Sequence, residues 1–530
     1  MSLIKHSVRF ALAAAAAAAA ANSASALDIS TYSASTFTNI YLSGSTAVDN
    51  TIANAALETA SPGGVCQAGT VDIYYIGTTG SYTNRLILCT ASSSAGVSAG
   101  TPLAIFKESA VGSANGVVPL YTYSTGGSSG LTFIDPNALK ASGDSACTTA
   151  TVAASGNIGA YTTHASCPAA DVVANGVPTA GFSDVEAAIL KTANNSSVNT
   201  KLAGSQLKGV GTLDQVWGIA LTKNAYYALQ AAEGYASPSD SPANAPSLSK
   251  QDVAGLLSGN VFLWSDLGVT NTGNGGDENV YICRRDNGSG TEASFEAYFL
   301  GQRCSLSSES IPSENGTTVF ANGSGGGMRS CLQHFFSGGN QVEYYPPNST
   351  VALPGGQFAV GLLNAEVTAS NLSGANDSFR FVAIDGVGPT VANVQNGYYP
   401  YFSTGVAYTI KAGQGVPTGN AQLFLTAFLG KLGHPQFTAD SNSSYVGVKP
   451  WSPSLTVGDV SPAPLYASTN FPAVPATSAT AATNPTNAYT KGQSGSVNNC
   501  DTPVWDSGDL EGVSTTTVEK TLLGTGQVNN

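Results

Sequence analysis

Charge is scarce in this 530-residue chain: Asp, Glu, Lys and Arg together make up 10% of it, and positive charge is the scarcer sign. Twenty Lys and Arg stand against 33 Asp and Glu, a formal charge of −13 that becomes −15 without Lys5 and Arg9. Binding a phosphate backbone relies on clustered Lys and Arg, so nucleic acid is excluded as a partner. A small anion is not excluded, because local dipoles act over a few ångströms while surface charge is screened beyond about 8 Å. Histidine is scarce too. Beyond the first 26 residues only His164, His334 and His434 remain, none in an acid–base or metal spacing, and no Cys-x-x-Cys pair occurs. The reading is therefore of a protein with no metal, no cofactor and no catalytic group. Past the N-terminus no apolar run approaches the roughly 20 residues that span a bilayer, which excludes membrane insertion. No tandem repeat is present.

The N-terminus has Lys5 and Arg9, an apolar run from Phe10 to Ala21, and Ala24-Ser25-Ala26, which reads as a secretory signal peptide over residues 1–26. No Cys lies beside the cleavage site, so a lipoprotein anchor is not expected and the mature chain reads as periplasmic or secreted. All eight cysteines fall in the mature chain, an even count that suits disulfides in an oxidising compartment. Eight cysteines allow 105 pairings. Proximity favours Cys66–Cys89, Cys147–Cys167 and Cys304–Cys331, leaving Cys283 with Cys500 or unpaired.

Strands alternate with helices, which implies an α/β architecture. Ile40–Leu42 reads as a strand, Ser43-Gly44-Ser45-Thr46 as a loop and Ala47–Ala60 as a helix. Pro102–Lys107 is a strand running into Ser109–Val117. Thr179–Glu186 sets a strand end against a helix continuing to about Lys191, with Ser183 or Asp184 as its N-cap. Val216–Thr222 is a buried strand, and Ser249-Lys250-Gln251-Asp252 a capping box before a helix at Val253–Leu257. Length predicts two or more lobes, and composition marks disulfide-bearing insertions at about 61–101 and 119–178 and a charge-poor, irregular extension at 438–530. Gly126-Gly127-Ser128-Ser129-Gly130 matches Gly-x-Ser-x-Gly formally, but lacks the strand-to-helix context of a nucleophile.

The most informative stretch is Cys283–Phe299. A strand delivers Arg284 and Arg285 to a tight loop, and Ser289-Gly290-Thr291 opens a helix whose first N–H groups have no intrahelical acceptor. Amides, a helix dipole, hydroxyls and a guanidinium at one point form a cradle for an oxyanion.

Together these segments resemble the phosphate-binding proteins of bacterial ABC transporters, of the two-lobed periplasmic-binding-protein type II fold. Ile40–Thr46 is similar to the family's first strand and loop, which implies Thr46 and Ala47 as ligands. Gly112–Val117 resembles its Gly-Ser-Ser-Gly-Gly-Val loop, implying Ser113, with Gly77-Thr78-Thr79-Gly80 as a poorer rival. Gly181-Phe182-Ser183-Asp184 resembles Gly-x-Ser-Asp, whose aspartate accepts a hydrogen bond from protonated phosphate. Arg285–Thr291 resembles Arg-x-Asp-Gly-Ser-Gly-Thr, implying Arg285, Ser289, Gly290 and Thr291; Asn287 stands where the family has an acid that orients the arginine, with Asp286 next door. Leu248–Leu267, Phe381–Thr390 and Asn396–Pro400 match later family segments. The resemblance implies lobe 1 at 27–215, lobe 2 at 216–384 and a return to lobe 1 at 385–437, and a binding protein for phosphate or a related oxyanion, with an ABC permease as partner. Two other classes remain open: an extracellular structural or adhesive protein on this fold, and a secreted phosphatase-like protein.

Overall fold

Alternation along Pro102–Glu108 sends Leu103 and Ile105 into one apolar cluster and Ala104 and Phe106 into another, as a strand covered on both faces requires. The computed structural model describes residues 27–59, 63–78, 81–109, 112–143, 146–154, 157–174, 176–190, 206–240, 242–273, 276–302, 304, 310–342, 349–365, 377–390, 393–394, 397–432, 465–467, 486–487, 489–493 and 496–505. The signal-peptide reading, His434, Lys191, Asn396, the Thr79-Gly80 half of the rival loop and most of the extension lie outside them.

The protein is a mixed α/β structure built on a 15-stranded sheet. Twelve strands form its main path: β1 (Thr38–Gly44), β2 (Asp72–Thr78), β3 (Ser81–Thr90), β4 (Pro102–Glu108), β5 (Thr148–Val152), β6 (Tyr161–Cys167), β7 (Ala180–Ser183), β8 (Leu207–Thr222), β9 (Tyr281–Arg285), β10 (Val319–Asn322), β11 (Ala359–Asn364) and β12 (Phe402–Ile410). Their order is β10-β9-β11-β8-β12-β7-β1-β4-β3-β2-β6-β5. β7, β1 and β4 are mutually parallel in the first lobe, and β10, β9 and β11 in the second.

β8 and β12 join the lobes. They pair antiparallel, with a register shift between Gly211 and Asp214. Leu213 packs in the first lobe's core and Val216 in the second's; on β12, Ala407 and Phe402 divide the same way. Helices α1 (Asp49–Leu57) and α2 (Gly419–Leu432) cover β1 and β4 in the first lobe, while α3 (Lys250–Ser258), α4 (Gly290–Leu300) and α5 (Gly325–Ser337) enclose the second. The expected capping box starts α3, with Ser249 and Asp252 bonding each other's backbone N–H.

Four sequence expectations change. Segments 61–101 and 119–178 do not merely decorate a core: they supply β2, β3, β5 and β6, which extend the sheet beyond β4. β2 and β3 bury Ile73, Tyr74, Leu86, Ile87 and Leu88, while β5, at the sheet's edge, is largely exposed. The disulfides are Cys66–Cys89 and Cys147–Cys167 as expected, but Cys283–Cys331 and Cys304–Cys500 in place of Cys304–Cys331. Cys283 lies in β9 under α5, which carries Cys331, so strand–helix packing overrides nearness in sequence. After Ser183 only a short 3-10 turn, Ala187–Ile189, forms among the described residues, and its cap position is Glu186 rather than Ser183 or Asp184. The described pieces of the extension are docked: Leu465–Ala467 pairs with β8, and Cys500 is covalently held.

Three glycines bring the end of β1, the strand β7 and the turn Gly112–Gly116 together in the first lobe. A Cβ on Gly44, whose φ is +96°, would lie 2.1 Å from the Phe182 carbonyl oxygen, and one on Gly116 would lie 2.0 Å from the same atom. A Cβ on Gly181 would meet the Gly116 oxygen at 2.1 Å. Non-reducing peptide mapping should recover Cys283–Cys331 and Cys304–Cys500. Gly116→Ala should lower stability by about 1–3 kcal/mol in urea denaturation through forced backbone displacement; an unchanged midpoint would contradict this close approach.

Candidate functional site

Parallel strands β1, β4 and β7 end side by side, and the loops after them carry Ser45–Ala47, Gly112–Ser113 and Asp184. From the second lobe, β9 ends at Arg285, a turn through Asp286–Ser289 follows, and α4 opens at Gly290. The region beyond the carboxyl ends of parallel strands is where open α/β sheets hold ligands.

The lobes meet at Asp184. Its Oδ1 accepts from the Ser45 hydroxyl and its Oδ2 from Thr291 Oγ1 at 3.4 Å, while its N–H donates to Ser113 Oγ at 2.9 Å. The Ala114 N–H crosses the seam to the Gly288 carbonyl at 2.9 Å. Gly290 is required: a Cβ there would lie 2.3 Å from Ser113 Oγ and 2.9 Å from Asp184 Cβ. Ser289 caps α4 by accepting the Glu292 N–H at 3.3 Å. The N–H groups of Gly290 and Thr291 have no acceptor among the described residues. These amides are the positive end of an 11-residue helix.

Arginine 285 is held by carbonyls. Its Nε donates to Asn322 O at 3.1 Å and its Nη2 to Gly323 O at 3.0 Å, with Nη2 close to Gly112. Neither bond uses Asn287, which is half-buried and has no side-chain hydrogen bond among the described residues. Arg284 faces away from the site, as strand alternation predicts. It forms a buried ion pair with Glu292 and donates to Pro312 O at 2.7 Å.

Burial pushes the Asp184 carboxyl above its ordinary range, against the Ser45 bond and the Arg285 charge, which pull it down. The residue is 5% exposed, so desolvation prevails.

Of the residues singled out from sequence, Ser113, Asp184, Arg285, Gly290 and Thr291 come together at the seam. Ser289 serves as the helix cap. Thr46 and Ala47 are half-buried; Thr46 O accepts the Asp49 N–H, and the Ala47 N–H donates to Ser45 Oγ. Sequence reasoning missed Ser45 as the hydroxyl on Asp184, since adjacent Ser45 and Thr46 look alike in a loop. It also missed Lys107, 1% exposed, whose Nζ donates to Gly44 O at 2.9 Å and Ser109 Oγ at 3.1 Å and pairs with Asp49 at 3.2 Å. Burial pushes the Lys107 ammonium below its usual range, with Asp49 opposing. The available signal was a lone cation closing an apolar strand. His164 stacks on Tyr74, and His334 bonds Gln341, so neither belongs to the seam. Ser128 lies in an irregular stretch between the helix Val118–Ser124 and the strand Thr132–Ile134, without a nucleophile's strand-to-helix setting.

The seam is thus a two-sided cradle of donors, with one guanidinium and one buried carboxylate. No group of three or more His, Cys, Asp or Glu suited to a metal occurs among the described residues, and no described helix is long and apolar enough to cross a membrane. No protein-family model matches the chain, and no curated protein does. Among solved structures it is similar to an ABC transporter substrate-binding protein from Clostridium perfringens with bound phosphate, at 14% identity over 78% of this chain and 100% of that one, with a TM-score of 0.36. It is similar also to an ABC-type phosphate transport receptor from Vibrio cholerae (14% identity, 48% and 74% covered, TM-score 0.28) and to PstS from Borrelia burgdorferi (12%, 53% and 85%, TM-score 0.26). At scores this low the likeness leaves ligand and role to the seam itself.

A carboxyl with a higher pKa folded than unfolded contributes stability that is complete below the unfolded pKa and lost as pH rises through the folded one. Asp184→Asn should therefore gain stability relative to wild type as pH rises from acid to neutral, other carboxyls cancelling in the difference. Thermal melts from pH 4 to 8 check this; a difference independent of pH would contradict it.

Proposed function

We propose that this protein captures an oxyanion, inorganic phosphate, in the seam between its lobes. The observation that carries the reading is the meeting of the amides of Gly290 and Thr291, which have no acceptor among the described residues, with the hydroxyls of Ser45, Ser113 and Thr291 and with Arg285 around Asp184. Entry of the anion would replace the direct Thr291–Asp184 bond with bonds to its oxygens. Arg285 supplies the compensating charge, and the amides supply preformed donors. Asp184 accepts a hydrogen bond only from an oxyanion that carries a proton. It therefore favours HPO₄²⁻ or H₂PO₄⁻ and repels sulfate, so selectivity comes from an unfavourable contact with the wrong ion. Asn287 in place of an acid removes one negative charge from the surroundings of Arg285, whose guanidinium the carbonyls of Asn322 and Gly323 already fix. Thr46, Ala47 and Ser289 belong to the same proposal as neighbours of the ligand rather than its main donors.

Export is a further part of this reading, resting on the charged, apolar and small-residue pattern of the first 26 residues, and delivery to a permease is another, resting on the sequence resemblance alone. One observation favours a second reading, an extracellular structural protein on the same fold. The C-terminal segment is fastened across the joint between lobes by Cys304–Cys500, as suits a body that keeps its shape.

Calorimetric titration with phosphate, sulfate and a phosphomonoester separates the two. Wild type should bind phosphate and not sulfate, and Arg285→Ala should cost about 2–5 kcal/mol, or roughly 30-fold to several thousand-fold in affinity. Gly290→Ala should weaken binding without any change of charge, because its methyl group wedges against Ser113. Arg284→Ala should act on stability, by about 3–5 kcal/mol, since it strands the buried Glu292. Binding of no anion by wild type would overturn the proposal and favour the structural reading.

A further inference from the structure

Beyond α2, the described pieces of the chain gather on the strands that join the lobes. Leu465–Ala467 pairs antiparallel with β8 at Leu213 and Asp214. Lys491 is buried, its ammonium donating to the Phe402 carbonyl at the start of β12 and lying 4.5 Å from the centre of the Phe402 ring. Asn499 is buried as well. Its N–H and Nδ2 donate to the two carboxylate oxygens of Glu186, at 3.0 and 2.5 Å. It also exchanges a pair of hydrogen bonds with the Thr404 backbone: Thr404 N to Asn499 Oδ1 at 2.9 Å, and Asn499 Nδ2 to Thr404 O at 3.2 Å. The next residue, Cys500, is bonded to Cys304 just past the end of α4.

Adjacent residues are thus fastened to opposite lobes. Glu186 lies two residues after Asp184, and α4 is the helix whose first residues press on Asp184. Val497 and Cys500 lie over an apolar cluster that itself crosses the seam, with Val185, Ala187 and Ile189 from one lobe and Ala293 and Ala297 of α4 from the other. Any opening that parts Thr291 from Asp184 carries α4 and Cys304 away from Glu186. Because Cys500 travels with Cys304, the bonds of Asn499 must break first.

We infer that residues 496–501, anchored at Asn499 and Cys500, form a strap that holds the two lobes closed and sets the rate at which the anion enters and leaves the seam. The clause about the anion rests on the function proposed above; the closure does not. Closed is then the resting state, and the energetic barrier to exchange includes releasing Asn499 from a buried carboxylate and from β12. Opening on a bare hinge would meet only the direct contacts across the seam.

Hydrogen–deuterium exchange on the full chain tests this with or without ligand, read at the peptides containing Ala114, whose N–H bonds across the seam, and Asp184. The variants are Asn499→Ala, which keeps the disulfide, and Cys304→Ser with Cys500→Ser. Cys66→Ser with Cys89→Ser serves as control, since it removes a bridge wholly within the first lobe. Both strap variants should exchange these amides about tenfold faster or more, consistent with losing hydrogen bonds to a charged group, with the control unchanged. Release of radiolabelled phosphate should accelerate by a similar factor. Unchanged exchange in Asn499→Ala, or equal loosening in the control, would overturn the strap. Faster amide exchange in a protein that binds no phosphate would uphold the closure and remove the anion assignment alone.

Discussion

Burying the carboxylate of Asp184 between two lobes is the constraint on which the site depends. A charge taken out of water must find donors or revert to its neutral form. Ser45 and Thr291 donate to it from opposite sides of the seam, and Arg285 contributes its field. These partners reach it only because the backbone is stripped of side chains at a few points. Gly44, Gly116 and Gly181 let two strands and the turn Gly112–Gly116 touch in the first lobe, and Gly290 lets the start of α4 rest on Ser113. Lys107 holds this arrangement from behind, tying the Gly44 carbonyl to Ser109 and Asp49. Buried ion pairs of this kind add little net stability, but they leave few alternative packings that satisfy every charge.

Much of this was legible in the sequence, where local rules decide. The strand into Arg285, the cap at Ser289 and the helix after it follow from an apolar run, a Ser/Gly break and a long apolar helix, and they occur at Tyr281–Arg285 and Gly290–Leu300. The strands before Ser45 and Asp184 were legible for the same reason. Long-range pairing was not. The segments 61–101 and 119–178 look like loops by their Gly, Ser and Thr content, yet short apolar runs within them at 72–78 and 81–90 are buried in the main sheet, and the polar Thr148–Val152 satisfies its backbone as an edge strand. Cys331 is nearer in sequence to Cys304, but it packs on Cys283 because α5 crosses β9. The choice between Ser45 and Thr46 turns on the direction of one side chain, which no spacing rule reaches.

The joint between the lobes gives the site its mechanical setting. β8 and β12 each run from one core to the other, and the shift of register near Gly211 marks where their pairing bends. Two paired strands alone would permit hinge motion about this line. The docked C-terminal pieces lie on the same two strands and bridge Glu186 to Cys304 through adjacent residues. If the seam takes a small anion and the strap resists opening, as proposed above, the combination suits slow, tight retention better than rapid delivery.

The central claim is that the contacts at Asp184 are those an oxyanion occupies, and a crystal structure grown at saturating phosphate tests it most directly. The account predicts an anion bonded to Ser113 Oγ and to the N–H groups of Gly290 and Thr291, with Arg285 beside it and Asp184 accepting its proton. A structure at the same phosphate concentration in which Thr291 still bonds Asp184 directly, and no anion touches these groups, would contradict it.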